Sequence, residues 1–460
     1  MSMKQLKLIL AILLYYIPPV LNAPLPSDDS DYSLSATGNR RLFWSIPWSC
    51  LVTIVACTWL SVHPDVPGRK ISNGHWGAMF LERAKLMGIA VLAPELIVAW
   101  AAGQLFIAWK VYCLDKPDIS IRSHMKQKIC HLWEQIRHVC EKIHHCCCYL
   151  WKGKDQGTDQ GACQNIALDV HRDTDELKLT MTHGFFLSMG GFCEERTGKI
   201  LVQEDLEGND DLIRDLVQTN ESIQDKSKAN AFSKTVSMLQ IAWFITQCIA
   251  RVNQHLPVTL LEVTALAFAV SSIIASLLWL YKPFNVRYHI EVKTGRSPFD
   301  PGRWGRKIDG GIPQFATMTD DSEDAEDLRM AAVVAAGLLF GAIHCAAWSS
   351  SFPSYAEKML WRFSSVAVVV ALVVYGFMPW IYLLTTLTPE GRSAISKTRL
   401  LLVDSIKGGI QKFTEVMFRP LVIAYIAARI ILIVLAFMQL RSLLPLSLDT
   451  VQWTTYIPHI

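Results

Sequence analysis

The sequence predicts an all-α fold, a polytopic transmembrane helical bundle of six or seven spans with a long, partly helical loop region between the second and third apolar runs. Two observations lead there. Hydrophobic residues make up 51% of the 460-residue chain and charged residues only 18%, against about a quarter charged in an average soluble domain. The apolar residues are also gathered into sparsely charged runs of the length a helix needs to cross about 30 Å of hydrocarbon while satisfying its own backbone hydrogen bonds. The formal net charge of +3 gives no generally basic character, so no nucleic-acid partner is expected and the lipid bilayer is the first partner.

The N-terminus reads as a secretory signal over residues 1–23. Lys4 and Lys7 precede an apolar run from Leu8 to Ile17, which is too short to span, and Pro18, Pro19 and the small residue Ala23 follow. Cleavage is expected after Ala23, which places the protein in a membrane of the secretory pathway, either the plasma membrane or an endomembrane. Six runs then read as spans: Leu42 to Val62, Leu86 to Trp109, Val258 to Tyr281, Ala331 to Trp348, Phe363 to Leu384 and Leu421 to Leu440. A seventh, Val236 to Ala250, is shorter and carries Gln240 and Gln247, so it either spans against neighbours or lies along the surface. Tryptophans at run edges, such as Trp44, Trp109, Trp279 and Trp348, suit the headgroup level. The chain therefore divides into N-terminal membrane segments (24–109), an extramembrane loop region (110–234) and a C-terminal bundle (235–460) with a linker at 282–330.

Within the loop region, Ile121, Met125, Ile129, Leu132, Trp133, Ile136, Cys140, Ile143, Cys147 and Leu150 recur at three- and four-residue steps, with Lys126, Lys128, Arg137, His138 and Lys142 mostly elsewhere. That spacing predicts a basic amphipathic helix, resting either on an anionic membrane surface or on the protein itself. The stretch from Glu194 to Asp225 is acidic with weak periodicity and is expected to be solvated and partly mobile. The region as a whole is a candidate surface for a protein partner. The 282–330 linker ends in the acidic run Asp320 to Asp327, where Ser322 is a candidate phosphorylation site.

Two topology rules collide. A cleaved signal followed by seven crossings puts 8 Lys and Arg near cytosolic span ends and 24 near the opposite ones, the reverse of the positive-inside bias. The conflict disappears if one of the first two runs fails to cross. Leu42 to Val62, with Pro47 and five Ser or Thr residues, is the weaker of the two. The acceptor sequence at Asn220 would place the long loop in the lumen if it is glycosylated.

Ionisable residues inside spans cost about 2.5–3.5 kcal/mol each on insertion scales, so they face a partner or a wet cavity. Glu95 and Arg429 fall near the middle of their runs; Glu262 and His344 lie nearer the ends. Either Glu95 and Arg429 tie helices together, or Glu95 opens an ion or proton path with His344 as relay and Arg429 as counter-charge. Cys146, Cys147 and Cys148 follow His144 and His145, but adjacent cysteines do not all reach one tetrahedral ion, so no metal and no cofactor is expected. Those thiols are lipidation sites if cytosolic and disulfide partners if lumenal. No hydrolase elbow, metalloprotease, P-loop or kinase signature occurs; a catalytic residue set is not expected. The glycines around Thr182-His183-Gly184-Phe185-Phe186 and Met189-Gly190-Gly191-Phe192 fit close backbone approach rather than a phosphate cradle.

Several strings together resemble a family of multi-spanning, mostly uncharacterised membrane proteins of filamentous fungi. They are Trp48-Ser49-Cys50, Cys57-Thr58-Trp59, His63-Pro64, Ala93-Pro94-Glu95, the two glycine-aromatic strings above, Ile343-His344-Cys345, Phe352-Pro353-Ser354, Leu360-Trp361-Arg362 and the C-terminal Val451-Gln452-Trp453-Thr454 with Ile457-Pro458-His459-Ile460. The resemblance implies a fungal source and a membrane location and carries no activity. Where that family often has Asn after His-Pro, this chain has Asp65. The reading that follows is a non-enzymatic membrane sensor or scaffold, with a transporter or channel built on Glu95, His344 and Arg429 as the alternative.

Overall fold

Apolar runs of this length have to become helices, because only a helix satisfies its own backbone without water, and the structure is helical almost throughout. It is a computed structural model and describes residues 40–60, 62–72, 76–114, 179–219, 221, 223, 231–284, 286–293, 323–386 and 419–453. The expected signal region, the expected basic amphipathic helix with Cys146, Cys147 and Cys148, Asn220 and Ser322 lie outside the described residues.

Helix α1 (Ser45–Val55) continues into a π-helical turn at Ala56–Leu60, and α2 (Arg69–Ser72) is a single turn. Then come α3 (Trp76–Leu92) and α4 (Pro94–Leu114), followed by the short α5 (Met181–Ser188) and α6 (Asp210–Gln218). Helices α7 (Ala231–Asn253), α8 (Leu260–Leu278), α9 (Glu323–Ala346), α10 (Tyr355–Thr386) and α11 (Arg419–Ser442) complete the bundle. Six helices, α4 and α7 to α11, are long and apolar enough to cross a membrane, whereas α1 with its π turn gives a shorter apolar helix, Ser45–Trp59. The run at Val236 to Ala250 is thus one of the six.

Leu86 to Trp109, expected as one span, is two helices. Pro94 has no N–H to give the Ala90 carbonyl, and its ring crowds the preceding turn. The backbone breaks at Ala93, and Pro94 becomes the first residue of α4, where a missing N–H costs nothing. Glu95 moves with it, from the middle of an expected run to the first turn of a helix, where backbone N–H groups favour a carboxylate.

Lipid accounts for the outward faces. Leu239, Phe363 and Ile423 are more than three-fifths exposed on α7, α10 and α11, a placement that water would penalise and acyl chains do not. Inside, α9 and α10 approach closely because Gly337 and Gly341, one turn apart, leave room for Leu372 and Val369.

The described part of the acidic stretch departs from the solvated, mobile expectation. Leu201, Leu206, Leu212, Leu216 and Val217 are buried in one cluster with Phe186, Phe192, Val286 and Val292, while Glu204, Glu207, Asp210 and Asp211 face out. Acidity belongs to one face only of α6, whose Asn209 side chain caps the Leu212 N–H. Strands β1 (Phe192–Glu194) and β2 (Ile290–Val292) pair in parallel and tie this layer, the cap, to the segment after α8. The cap is seated on α4 through Gly184, where an added methyl would lie 2.5 Å from the Ala108 carbonyl oxygen.

Candidate functional site

Among the described residues, three ion pairs reach into the interior, each joining an early residue to a late one; two are fully buried and the Arg41 pair partly so. The first is at the start of α8. Thr259 caps this helix in a reciprocal box: Glu262 accepts from the Thr259 N–H at 2.8 Å and from its hydroxyl at 3.0 Å. The other Glu262 oxygen accepts from Arg41 at 2.6 Å. Arg251 at the end of α7 donates to the carbonyls of Asp449, Pro257 and Ser447 at 2.8, 3.0 and 3.1 Å. Gln439 accepts from the Leu260 N–H at 2.6 Å and donates to the Ser351 carbonyl at 2.8 Å.

The second pair lies between α4 and α11. Arg429 donates to one Glu95 oxygen and Tyr425 to the other, and Arg429 Nε also donates to the Tyr425 hydroxyl at 2.7 Å. Tyr425 and Arg429 are four apart, one turn on the same face. The guanidinium lies 3.6 Å from the Phe340 ring centroid, and Phe340 in turn stacks on His344 at 4.6 Å. His344 gives its Nδ1–H to the Phe340 carbonyl at 2.9 Å, and its own carbonyl accepts from Trp361 Nε1 at 3.2 Å.

The third pair was not visible from composition. Lys282, just past α8, donates to the His63 carbonyl at 2.6 Å, to Gln104 Oε1 at 2.8 Å and to Asp65 Oδ1 at 2.9 Å. Trp100 and Trp279 flank the ammonium at 4.6 and 4.8 Å. Gln104 closes the ring, donating to Asp65 at 2.7 Å and accepting from Trp279 Nε1 at 2.9 Å. Burial pulls the Lys282 ammonium below its ordinary range, and the Asp65 carboxylate pulls the other way.

Of the four intramembrane candidates, Glu95 and Arg429 are brought together, His344 joins them only through Phe340, and Glu262 belongs to a separate node. Arg41, Tyr425, Asp65, Gln104 and Lys282 were missed. The Asp65 departure from the resembling family and the Arg41 position immediately before an apolar run were the available signals. A cavity of about 20 Å³ lies beside the α3–α4 break, lined among others by Cys57 and Thr58 of the π turn, Ala90, Pro94, Ser271 and Ser272, room for about one water. Among the described residues no His, Cys, Asp and Glu group has metal-binding geometry.

His183 is a buried titratable group of the cap. It is the N3 residue of a capping box, its Nδ1 2.8 Å from the Thr180 hydroxyl and accepting from the Thr180 N–H at 3.2 Å. Burial lowers its pKa from 6.5 to about 4, against the opposing pull of the Leu216 carbonyl. A depressed histidine contributes stability that is whole above pH 6.5 and lost as pH falls towards 4. Cap proteolysis should therefore accelerate across that window, and His183→Gln should flatten the acid dependence.

Six helices long and apolar enough to cross a membrane, two of them joined inside the bundle by the Glu95–Arg429 pair, make this a polytopic α-helical membrane protein. The chain belongs to a family of unknown function, DUF8562, whose model matches residues 9–299 and 317–460. No curated protein and no solved structure matches it.

Proposed function

We propose that this protein is a non-enzymatic scaffold of a secretory-pathway membrane, in which the bundle presents the folded cap, with its acidic outer face, to a protein partner. The observation that carries the reading is the engagement of both Glu95 carboxylate oxygens. Both carboxylate oxygens accept from Arg429 and Tyr425, and the guanidinium is stacked on Phe340. A transport site holds its ionisable group in contact with a wet cavity that a substrate can enter; this carboxylate is engaged on both oxygens by its own chain.

Glu95→Gln separates scaffold from transporter. It leaves shape intact, keeps one carbonyl acceptor and removes the counter-charge of Arg429, so stability in detergent should fall by about 3 kcal/mol, the low end for removing one member of a buried ion pair, read as a lower melting temperature. Reconstituted wild type and variant should show the same pH-dependent proton or cation leak into sealed liposomes. A pH-dependent flux present in the wild type and abolished by Glu95→Gln would establish the transport reading instead.

A further inference from the structure

We infer that α3 and α4 enter and leave the bilayer from the same face, and that the six crossings are the Leu42–Val62 segment and helices α7 to α11. Both chain ends of the bundle then lie on the lumenal side, and the cap lies in the cytosol.

The interactions sort the polypeptide into two ends and a middle. At one end meet Arg41, the close of α7, the start of α8, the α9–α10 turn and the residues after α11. They are linked by Arg41 to Glu262 at 2.6 Å, Gln439 to the Ser351 carbonyl at 2.8 Å, Arg441 to Glu357 at 2.6 Å and Gln254 to the Gln452 carbonyl at 2.9 Å. At the other end meet the segment after α1, the cap and the segment after α8. Here Lys282 binds Asp65, Arg69 binds Glu291 at 2.6 Å, Ser72 donates to the Arg287 carbonyl at 3.0 Å, and β1 pairs with β2. The short helix α1 and its π turn thus connect the two ends, because Arg41 on one flank belongs to the first and His63 and Asp65 on the other belong to the second.

Helices α3 and α4 do not connect them. Helix α3 begins at the cap end, where the Arg83 guanidinium lies 5.5 Å from the Phe284 ring. It stops in the middle, its Ala90 lining the same cavity as Phe268, the ninth residue of the 19-residue α8. Helix α4 starts at that depth: Glu95 pairs with Arg429, the eleventh of 24 residues in α11, over Phe340, whose ring lies 5.3 Å from Phe268. Nine residues after Glu95, Gln104 is already at the Lys282 node, and Ile107 and Val111 are in the cap core. The proline break is the tip of a re-entrant pair, tolerated at that depth because protein surrounds it.

Charge placement agrees. The end with Arg41 carries Arg40, Arg41, Arg251, Lys358, Arg362 and Arg441 near its span ends, six in all, whereas the sequence between α8 and α9 (279–322) and between α10 and α11 (387–418) carries twelve Lys and Arg. The positive-inside bias makes the cap end cytosolic, and a cleaved signal makes the Arg41 end lumenal. The two rules that conflict over seven crossings agree over these six.

The test uses the full chain in sealed, cytosol-side-out microsomes. Trypsin should release peptides from 294–322 and 387–418 in sealed vesicles and peptides from 441–453 only after detergent, and glycosidase should leave the mobility of the native chain unchanged. Short protease sites inserted after Gly74 and after Gly208 should both be cut without detergent, and one appended after Ile460 only with it. Protection at Gly74 with cleavage at Gly208 would make α3–α4 an ordinary crossing and overturn the re-entrant pair. A glycan on Asn220, or cleavage after Ile460 in sealed vesicles, would overturn the assignment of sides. The trypsin and glycosidase arms decide the sides in the unaltered chain if an insertion prevents folding.

Discussion

Replacing Lys282 with Met should lower the stability of the detergent-solubilised protein by about 3–5 kcal/mol, the loss associated with removing one member of a buried ion pair. Met keeps the aliphatic stem between Trp100 and Trp279 and removes only the ammonium. Three acceptors then lose their donor: the His63 carbonyl at 2.6 Å, Gln104 at 2.8 Å and Asp65 at 2.9 Å. Asp65, with a side chain only 1% exposed, keeps its charge but loses the ammonium that faces it at 2.9 Å. The loss should therefore reside in the stranded carboxylate more than in the missing attraction. Lys282→Met with Asp65→Leu removes both charges and should recover much of the stability, because an apolar pair avoids the desolvation cost. Melting curves of the two single variants and the double variant give the coupling directly. A melting temperature unchanged by Lys282→Met would show that the node is dispensable.

Gly184→Ala should cost about 3 kcal/mol, the upper end of what overpacking costs, and should release the cap before the bundle melts. The added methyl would meet the Ala108 carbonyl oxygen, Cα and carbonyl carbon at 2.5, 2.6 and 2.9 Å. A side chain in the way can rotate; helix backbone cannot. Helix α5 would have to lift from α4, carrying with it Phe186 and Leu187, which pack in the cap core. Limited proteolysis between 190 and 219 should accelerate in the variant while the melting of the bundle shifts little. Gly208, with φ +72° and open space around it, is the control for a glycine whose demand is conformational and not steric.

The bundle was legible in the sequence because lipid imposes one rule, a long apolar run, on every span. Departures occurred where a second constraint competed. Pro94 stood within an apolar run long enough to span, and periodicity alone gave no reason to weigh the lost N–H above the run. The acidic stretch hid its core because Asp210, Asp211 and Asp215 dominate its composition, although Leu212 and Leu216, one turn apart, already marked a buried face. The Glu95–Arg429 pair was foreseeable as one acid and one base at similar expected depth. Arg41 with Glu262 and Asp65 with Lys282 were not, since each partner sits at a run edge where charge is ordinary and the pairing is fixed only by how the helices return. Parallel pairing of β1 with β2, three residues each and 98 positions apart, left no local pattern to read.

The order in which these partners are made has a consequence for biogenesis. Arg41, Asp65 and Glu95 are synthesised and inserted first, and their partners follow 221, 217 and 334 residues later. At about 5–20 residues per second, the early charges wait roughly 10 to 70 s at the translocon or in the membrane before a counter-charge exists. During that interval the N-terminal segments are a substrate for membrane chaperones and quality-control proteases. A nascent chain stalled before Glu262 should be degraded, and co-expression of residues 235–460 as a separate polypeptide should rescue it by supplying all three missing partners.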